Sequence, residues 1–282
     1  AGTALVSMQV KEIGKGLGYH GMGGGLGVAV APGLATLLAL LSATQGWRVS
    51  FAAFGALGLL VAAGVATLKV TETAPLKANS RFWPEHLANG SPKPLVLFLC
   101  VGVLVGFCYR GVTTFLPTYF SQNLNGGIFA GHNVLKGGMF TTVTLLVGVV
   151  GQFVGGNLCS RYKLEKLFGT LMMITVPFLL LMAALSNLPL LVMAMLFSFF
   201  HFSSQPVGNS LIAEYTDPRG RGLGYGLYFS TAFGIGSLAS GFSGMIAERF
   251  GLNIVFVPLA MVIFVGAIVM LYLARVREKK EA

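Results

Sequence analysis

The sequence is poor in charged residues. Asp, Glu, Lys and Arg together make up 10% of its 282 residues, whereas a soluble globular protein carries about 25%. Because charged side chains cover a water-facing surface, this shortage excludes a soluble globular protein. Cysteine is also scarce. The three cysteines lie in apolar segments without the paired spacing of metal ligands, which argues against a zinc or redox site.

What the chain has instead is long apolar runs, with hydrophobic residues forming 55% of the sequence. A helix of about 20 apolar residues crosses the hydrocarbon core of a bilayer. Eight uninterrupted stretches are long enough, and their continuity favours helices over barrel strands. They are Leu17–Leu41, Val49–Leu68, Pro94–Phe120, Gly137–Ser160, Leu167–Leu185, Leu188–Ala213, Leu223–Ile246 and Ile254–Leu273. The sequence therefore predicts an all-α polytopic membrane protein with eight full transmembrane helices and a short N-terminal stub.

The positions of the 19 Lys and Arg residues predict the orientation. If the C-terminus is cytoplasmic, fifteen of them lie on the cytoplasmic side, three (Arg48, Lys136 and Arg249) lie on the other side, and Arg110 lies within a span. Such a bias sets the orientation of membrane proteins. The net charge of +10 is therefore explained by the Lys and Arg residues of the cytoplasmic loops of a protein in the cell inner (plasma) membrane. No nucleic-acid partner is predicted.

A short motif occurs twice. Gly14–Tyr19 reads GKGLGY and Gly220–Tyr225 reads GRGLGY, at an offset of 206 residues. Both copies lie on the predicted cytoplasmic side, so the repeat is parallel. By the same offset, the partner of Pro94 would lie before Ala1. We therefore expect the sequence to be an N-terminally truncated part of a protein of about 390 residues with six plus six helices.

One polar segment divides the apolar runs into two groups. Residues 69–93 contain three prolines and charges of both signs, which is typical of a cytoplasmic linker. We predict that residues 1–68 are the remainder of an N-terminal bundle: the end of its fourth helix and its fifth and sixth helices. Residues 94–274 are predicted to form a six-helix bundle, followed by a basic cytoplasmic tail at 275–282.

Small residues and one proline recur at fixed spacing along the first predicted span: Gly18, Gly27, Ala31, Pro32, Ala35 and Thr36. The spacing resembles the antiporter signature of the major facilitator superfamily (MFS), which has glycine where this chain has the two alanines and the threonine. Two six-helix bundles in parallel pseudo-repeat, joined by a cytoplasmic linker, are also that family's architecture. The resemblance implies that Gly18, Gly27 and Pro32 serve gating or close helix packing.

Two further segments are similar to the same family. Gly156 and Arg161, followed by Lys166, resemble its cytoplasmic loop signature, although Ser160 replaces the acidic residue. The resemblance implies a gating or packing role for Gly156 and Arg161. The segment from Arg110 to Pro117 is similar to multidrug and fosmidomycin-resistance-type exporters.

Arg110 is the residue most indicative of function. It lies about ten residues from the outer end of its span, roughly 15 Å at 1.5 Å per residue, near the bilayer middle where a charge is costly. One hypothesis is that Arg110 faces a central cavity and binds a carboxylate, phosphate or phosphonate. The other is a structural ion pair.

Polar residues also recur along Leu188–Ala213. His201, Gln205 and Asn209 follow each other at four-residue intervals, as the lining of a cavity would. His201 is either a proton carrier or a neutral histidine hydrogen-bonded between helices. Tyr109 and Tyr228 are further candidates for substrate binding. Glu214 is predicted to form a loop salt bridge with Arg219 or Arg221.

We therefore predict a secondary active transmembrane transporter of a small organic solute that works by alternating access. The predicted process is proton-coupled export by an antiporter, as in drug or metabolite efflux. An organic-anion uptake symporter and, in a different class, a non-transporting receptor-like or structural membrane protein are the alternatives. The partners are a small-molecule substrate, protons and the lipid bilayer, and the protein is predicted to be a monomer. No catalytic motif is visible, so we predict no enzyme, cofactor or metal.

Overall fold

The computed structural model describes residues 2–42, 44–67, 93–125, 131–218 and 220–281. Of the predicted linker at 69–93, only Lys93 belongs to these residues. The rest of that segment lies outside the described part of the chain, and its division of the chain into two bundles stays a prediction.

Helices account for nearly all of the described residues, and no strand occurs among them. The α-helices are α1 (Gly2–Gln9), α2 (Ile13–Ala39), α3 (Gly46–Ala66), α4 (Lys93–Asn123), α5 (Asn133–Leu158), α6 (Leu164–Ala184), α7 (Asn187–Tyr215), α8 (Arg221–Phe229), α9 (Leu238–Phe250) and α10 (Phe256–Glu281). A π-helical turn (Ser230–Gly234) and a 3₁₀ turn (Ile235–Ser237) connect α8 to α9, and a second 3₁₀ turn (Leu252–Val255) precedes α10. The predicted all-α class is confirmed.

Seven helices in the described ranges are long and apolar enough to cross a membrane. They are α2 to α7 and α10 with its preceding turn, and each coincides with a predicted span. The remaining predicted span, Leu223–Ile246, is not one α-helix but the succession of α8, the π turn, the 3₁₀ turn and α9. The interruption lies where the backbone of this segment comes into close contact with Gly106 of α4.

Helices α4 to α10 surround one hydrophobic core. Within it, α10 packs against α6 and α4, while α7 packs against α6 and α5. Phe98, Phe168 and Phe256 are buried there, and the hydroxyl of Tyr119 donates a hydrogen bond to the carbonyl of Met182 at 2.6 Å. Ala4 of α1 also belongs to this core, whereas none of the described residues of α2 and α3 does.

Helix α2 lies antiparallel to α5 along most of its length. Gly14 contacts Cys159 near one end, and Gly33 donates its backbone N–H to the Thr142 hydroxyl at 2.9 Å near the other. Glycines on both helices bring the backbones together, as small residues do where lipid removes the hydrophobic drive for packing. Helix α3 packs on α2.

The ends of the helices carry different charges. We call the end that holds the start of α2 and the ends of α5, α7 and α10 the basic side, since it corresponds to the predicted cytoplasmic side. At the opposite end, Lys136 is buried and its ammonium group donates a hydrogen bond to the carbonyl of Leu124. A cation beside the last turn of α4 is favourable because helix C-termini carry partial negative charge.

An ion-pair network on the basic side gives Glu214 a partner from α10. Arg277 pairs with Glu214 at 2.8 Å and with the buried Glu165, to which the hydroxyl of Tyr215 also donates a hydrogen bond. Arg221, a predicted partner of Glu214, instead donates to backbone carbonyls, and Arg219 lies outside the described residues. Arg277, which lies 63 positions away in the sequence, is thus a partner that the sequence did not predict, and the predicted contact between Glu214 and Arg219 stays a prediction.

The repeat is also visible in the helix boundaries. Helix α1 ends at Gln9 and α7 ends at Tyr215, which are 206 residues apart. This is the offset between the two copies of the glycine motif, so the two helix ends occupy equivalent positions in the repeat.

Candidate functional site

Arg110 lies in the middle of α4, 17 residues after its first residue, Lys93, and 13 before its last, Asn123. Its side chain is exposed, and its guanidinium carbon lies 5.4 Å from the centre of the Phe233 ring. A guanidinium over a ring face is attracted by the ring's quadrupole, which holds the cation in place without neutralising it.

The π-helical turn places Phe233 next to Arg110. A Cβ atom on Gly106 would lie 2.0 Å from the carbonyl oxygen of Ala232, and one on Gly236 would lie 2.8 Å from the carbonyl carbon of Gly106. Only glycine therefore allows α4 and this turn to approach so closely. Turns of this kind often mark functional sites. Sequence reasoning missed Phe233, because no local signal distinguishes it from the other phenylalanines.

Tyr109 and His201 meet beside Arg110. Their rings stack with centroids 5.8 Å apart and an interplanar angle of 6°, and Phe197 stacks on His201 as well. His201 is 3% exposed, and its Nε2 atom has no hydrogen-bond partner among the residues that the structure describes. The structure thus brings Tyr109, the sequence neighbour of Arg110 in α4, together with His201 of α7, 92 positions away.

This face of α4 is directed towards α2. Tyr109 packs against a small apolar cluster formed by Ala29 of α2, Leu145 and Val149 of α5 and Phe202 of α7. If residues 1–68 form a separate bundle, as the sequence predicts, Tyr109 lies at its junction with the second bundle.

Gln205 and Asn209 continue the predicted polar stripe on α7. Gln205 accepts a hydrogen bond from the side-chain amide of Gln152 at 2.7 Å, and Gln152 packs against Gly21 and Gly25 of α2. The backbone carbonyl of Asn209 accepts a hydrogen bond from the hydroxyl of Tyr225. Both residues are partly exposed, and both lie towards the basic side of His201.

Tyr228 is not near Arg110. Its ring stacks on Phe98, with centroids 5.4 Å apart, and it is buried in the core of the second group of helices. The structure therefore separates Tyr228 from the other predicted substrate-binding residues, and its predicted role has no support from their geometry.

Of the residues predicted for gating or packing, some lie in close helix contacts and others do not. A Cβ on Gly18 would lie 3.1 Å from the Cα of Gly156, so these two glycines form a close contact, whereas a Cβ on Gly27 would meet nothing described within 4 Å. Gly18 and Gly27 are nine positions apart, which places them on opposite faces of α2. Helix α2 continues through Pro32, and Arg161 is exposed in the turn after α5.

The electrostatics of the site suit an anion. No carboxylate of the described residues pairs with Arg110, because the described acidic residues lie at or beyond helix ends. In a low-dielectric membrane interior, a cation without a fixed partner attracts a negatively charged group strongly. The described ranges contain no cluster of three or more His, Cys, Asp or Glu residues that could hold a metal ion.

Comparison with known proteins agrees with this architecture. The sequence profile of the Major Facilitator Superfamily matches residues 1–140 and, separately, residues 130–282. Because the matches span the chain, it belongs to the Major Facilitator Superfamily of transporters and is an integral membrane protein. No curated protein sequence matches it significantly.

Solved structures with the same fold include two transporters. The human organic anion transporter MFSD10 (TETRAN) superimposes with a TM-score of 0.71 and 18% identity over 95% of this chain and 66% of that one. The E. coli fucose:proton symporter FucP superimposes with a TM-score of 0.52 and 18% identity over 80% of this chain and 54% of that one. FucP in the outward conformation gives a TM-score of 0.51 at 19% identity, over 80% of this chain and 55% of that one. The chain thus spans about two thirds or less of the length of these structures.

Proposed function

We propose that this chain belongs to a secondary transporter that moves a small organic anion across the membrane by alternating access. The observation that carries the proposal is Arg110, a membrane-central guanidinium held over Phe233 without a carboxylate partner among the described residues. A charge at this depth is costly, and it marks a functional site by default.

The neighbours of Arg110 suggest what else the substrate carries. Tyr109 and Phe233 lie beside Arg110 and are not fully buried, so an aromatic or apolar group attached to the anion would pack against them. A planar guanidinium binds carboxylate, phosphate and phosphonate through two parallel hydrogen bonds. The proposed substrate is therefore amphipathic, with one anionic end.

The structural neighbours include proteins with related activities. MFSD10 is described as an organic anion transporter and FucP as a fucose:proton symporter. Both are consistent with solute transport on this fold, and the first agrees with an anionic substrate. Efflux direction and proton coupling, for which His201 is the candidate carrier, stay predictions from the sequence.

Counterflow in proteoliposomes tests the proposal on the protein expressed from its native gene. We expect exchange of aryl carboxylates or phosphonates and not of neutral analogues of the same shape. In Arg110→Gln, the half-saturating concentration should rise about tenfold to a hundredfold, because a charge-assisted bidentate contact is lost.

Arg48 supplies the matched control. It also lies over an aromatic ring, 5.1 Å from the centre of Trp47, but near the start of α3 and not in the middle of a helix. Arg48→Gln should leave counterflow unchanged. Preference for neutral solutes in the wild type would overturn the anionic substrate, and normal anion exchange in Arg110→Gln would remove Arg110 from recognition.

A further inference from the structure

The exposed side chains of α4 change from apolar to polar at Arg110. Between Lys93 and Arg110 they are Val96, Leu97 and Cys100, and beyond Arg110 they are Thr114, Thr118 and Gln122. A polar or charged side chain inside a membrane faces a water-filled cavity or the interior of the bundle and not lipid. The half of α4 that leads away from the basic side therefore presents a polar wall, and Arg110 lies at its inner end.

Thr114 lies one helical turn beyond Arg110 on this wall. Its hydroxyl oxygen is 3.0 Å from that of Ser240 in α9, and either of the two can be the hydrogen-bond donor. We call Thr114 and Ser240 the hydroxyl pair. Because four residues rise about 6 Å along a helix, Thr114 lies about 6 Å further along α4 than Arg110.

The hydroxyl pair and the Arg110 site belong to one seam between α4 and the segment from the π-helical turn to α9. These two parts of the chain run in the same direction, since Gly106 approaches Gly236 and, further along α4, Gly111 approaches Ser243. Phe233 of this segment is 41% exposed, and Thr114 is exposed as well. A ligand that binds Arg110 and extends away from the basic side would therefore meet the hydroxyl pair next.

The hydroxyl pair has hydrogen-bonding capacity left for a ligand. Most hydroxyl groups in membrane helices bond to a carbonyl of their own helix, and the adjacent Thr113 does so by donating to the carbonyl of Tyr109 at 2.7 Å. Thr114 and Ser240 bond to each other instead. Each hydroxyl has one donor and two acceptor positions, so the bond between them leaves one O–H group and several lone pairs available.

We propose that the hydroxyl pair is a second subsite of the transporter, which binds a neutral hydrogen-bonding group of the substrate. The substrate is then an organic anion that carries a hydroxyl, carbonyl or amide group about 6 Å from its anionic group. The inference rests on the proposed anion transport and adds the feature by which the protein distinguishes one organic anion from another.

Counterflow with two matched probes tests this subsite in proteoliposomes of the protein expressed from its native gene. The probes are phenylphosphonate and its 4-hydroxy derivative, which differ only in the group that would reach the hydroxyl pair. We expect the half-saturating concentration of the hydroxylated probe to be about threefold to tenfold lower, the factor that one neutral hydrogen bond supplies. Thr114→Val combined with Ser240→Ala should abolish this preference.

Two further variants separate recognition from a purely structural role. Thr114→Ser keeps the hydroxyl and should keep the preference. Thr113→Val removes the neighbouring hydroxyl, which bonds to its own helix, and should also keep it. A merely structural pair would change the exchange of both probes by the same factor, whereas a subsite changes the ratio between them.

The outcomes distinguish this inference from the proposed function. Exchange of both probes without a preference, or a preference that survives in the double variant, would overturn the subsite alone. If the double variant exchanged neither probe, a wild-type preference in both Thr114→Val and Ser240→Ala would overturn it. Exchange of neither probe by the wild-type protein would overturn the proposed anion transport, and the subsite with it.

Discussion

The two copies of the glycine motif have nearly the same sequence and different surroundings. In the first copy, Lys15 forms an exposed pair with Glu12, and Tyr19 is 61% exposed against Phe153. In the second copy, Arg221 bridges two helix ends, and Tyr225 is 3% exposed and hydrogen-bonded.

The helices that follow the two copies differ as well. Helix α2 remains α-helical for 27 residues, including Pro32, whereas α8 gives way after nine residues to the π-helical turn that carries Phe233. A repeated sequence therefore sets where each helix begins, and the surrounding helices decide what its side chains do. Substitutions at equivalent positions separate these two contributions.

The largest expected effect is at the glycine contact of the first copy. Gly18→Leu would push α2 away from α5, because even a Cβ would lie 3.1 Å from the backbone of Gln152 and Gly156. We expect the free energy of unfolding to fall by about 3 kcal/mol, as in an overpacked core. Unfolding in an SDS titration measures it. The control is Gly222→Leu in the second copy, where a Cβ meets nothing described within 4 Å, and equal losses in both variants would contradict the packing difference.

Breaking an ion pair near each copy should give a smaller difference in the free energy of unfolding than the two glycine substitutions do. Glu165→Gln breaks a pair in which the carboxylate side chain is 7% exposed and the Arg277 side chain is 35% exposed. We expect a loss of about 2 kcal/mol, below the value for a fully buried pair because Arg277 is partly hydrated. The same titration should show a loss of at most about 0.5 kcal/mol for Glu12→Gln at the exposed pair. If the Glu12 variant lost as much stability, burial would not be what distinguishes the two pairs.

The smallest expected effect concerns the equivalent tyrosines. Tyr225→Phe removes the hydrogen bond to the Asn209 carbonyl and should lower the free energy of unfolding by about 1 kcal/mol. Tyr19→Phe should change it by less than about 0.5 kcal/mol because the ring is largely exposed. The two variants are compared by thermal unfolding under identical detergent conditions. A larger effect at Tyr19 would mean that the tyrosine of the first copy, and not that of the second, makes the more stabilising contact.

Much of the fold could be predicted because hydrophobicity is a property of each residue and its near neighbours. The predicted span Leu188–Ala213 corresponds to α7, Asn187–Tyr215, and Arg110 was identifiable as the lone charge within an apolar run. The interruption between α8 and α9 was not predicted, because it depends on contacts between Gly106 and a turn about 130 positions away.

The candidate site shows the same division. Phe233 is one of 22 phenylalanines, and nothing local distinguishes it until α4 places Arg110 over its ring. The sequence made Tyr228 an equally reasonable candidate, but in the structure its side chain is buried in the core against Phe98. The partner of Glu214 was predicted from nearby arginines, whereas the arginine that reaches it comes from α10.

The sequence by itself determined the class of protein, its spans, the charge asymmetry between its two ends and the internal repeat, because each follows from composition or local pattern. Because charged residues are scarce, Arg110 was the only one that fell inside a predicted span. The tertiary structure decided which aromatic rings meet Arg110 and which copy of the repeat bridges the helix ends. Those choices depend on packing between segments up to about 200 residues apart, which no local pattern records.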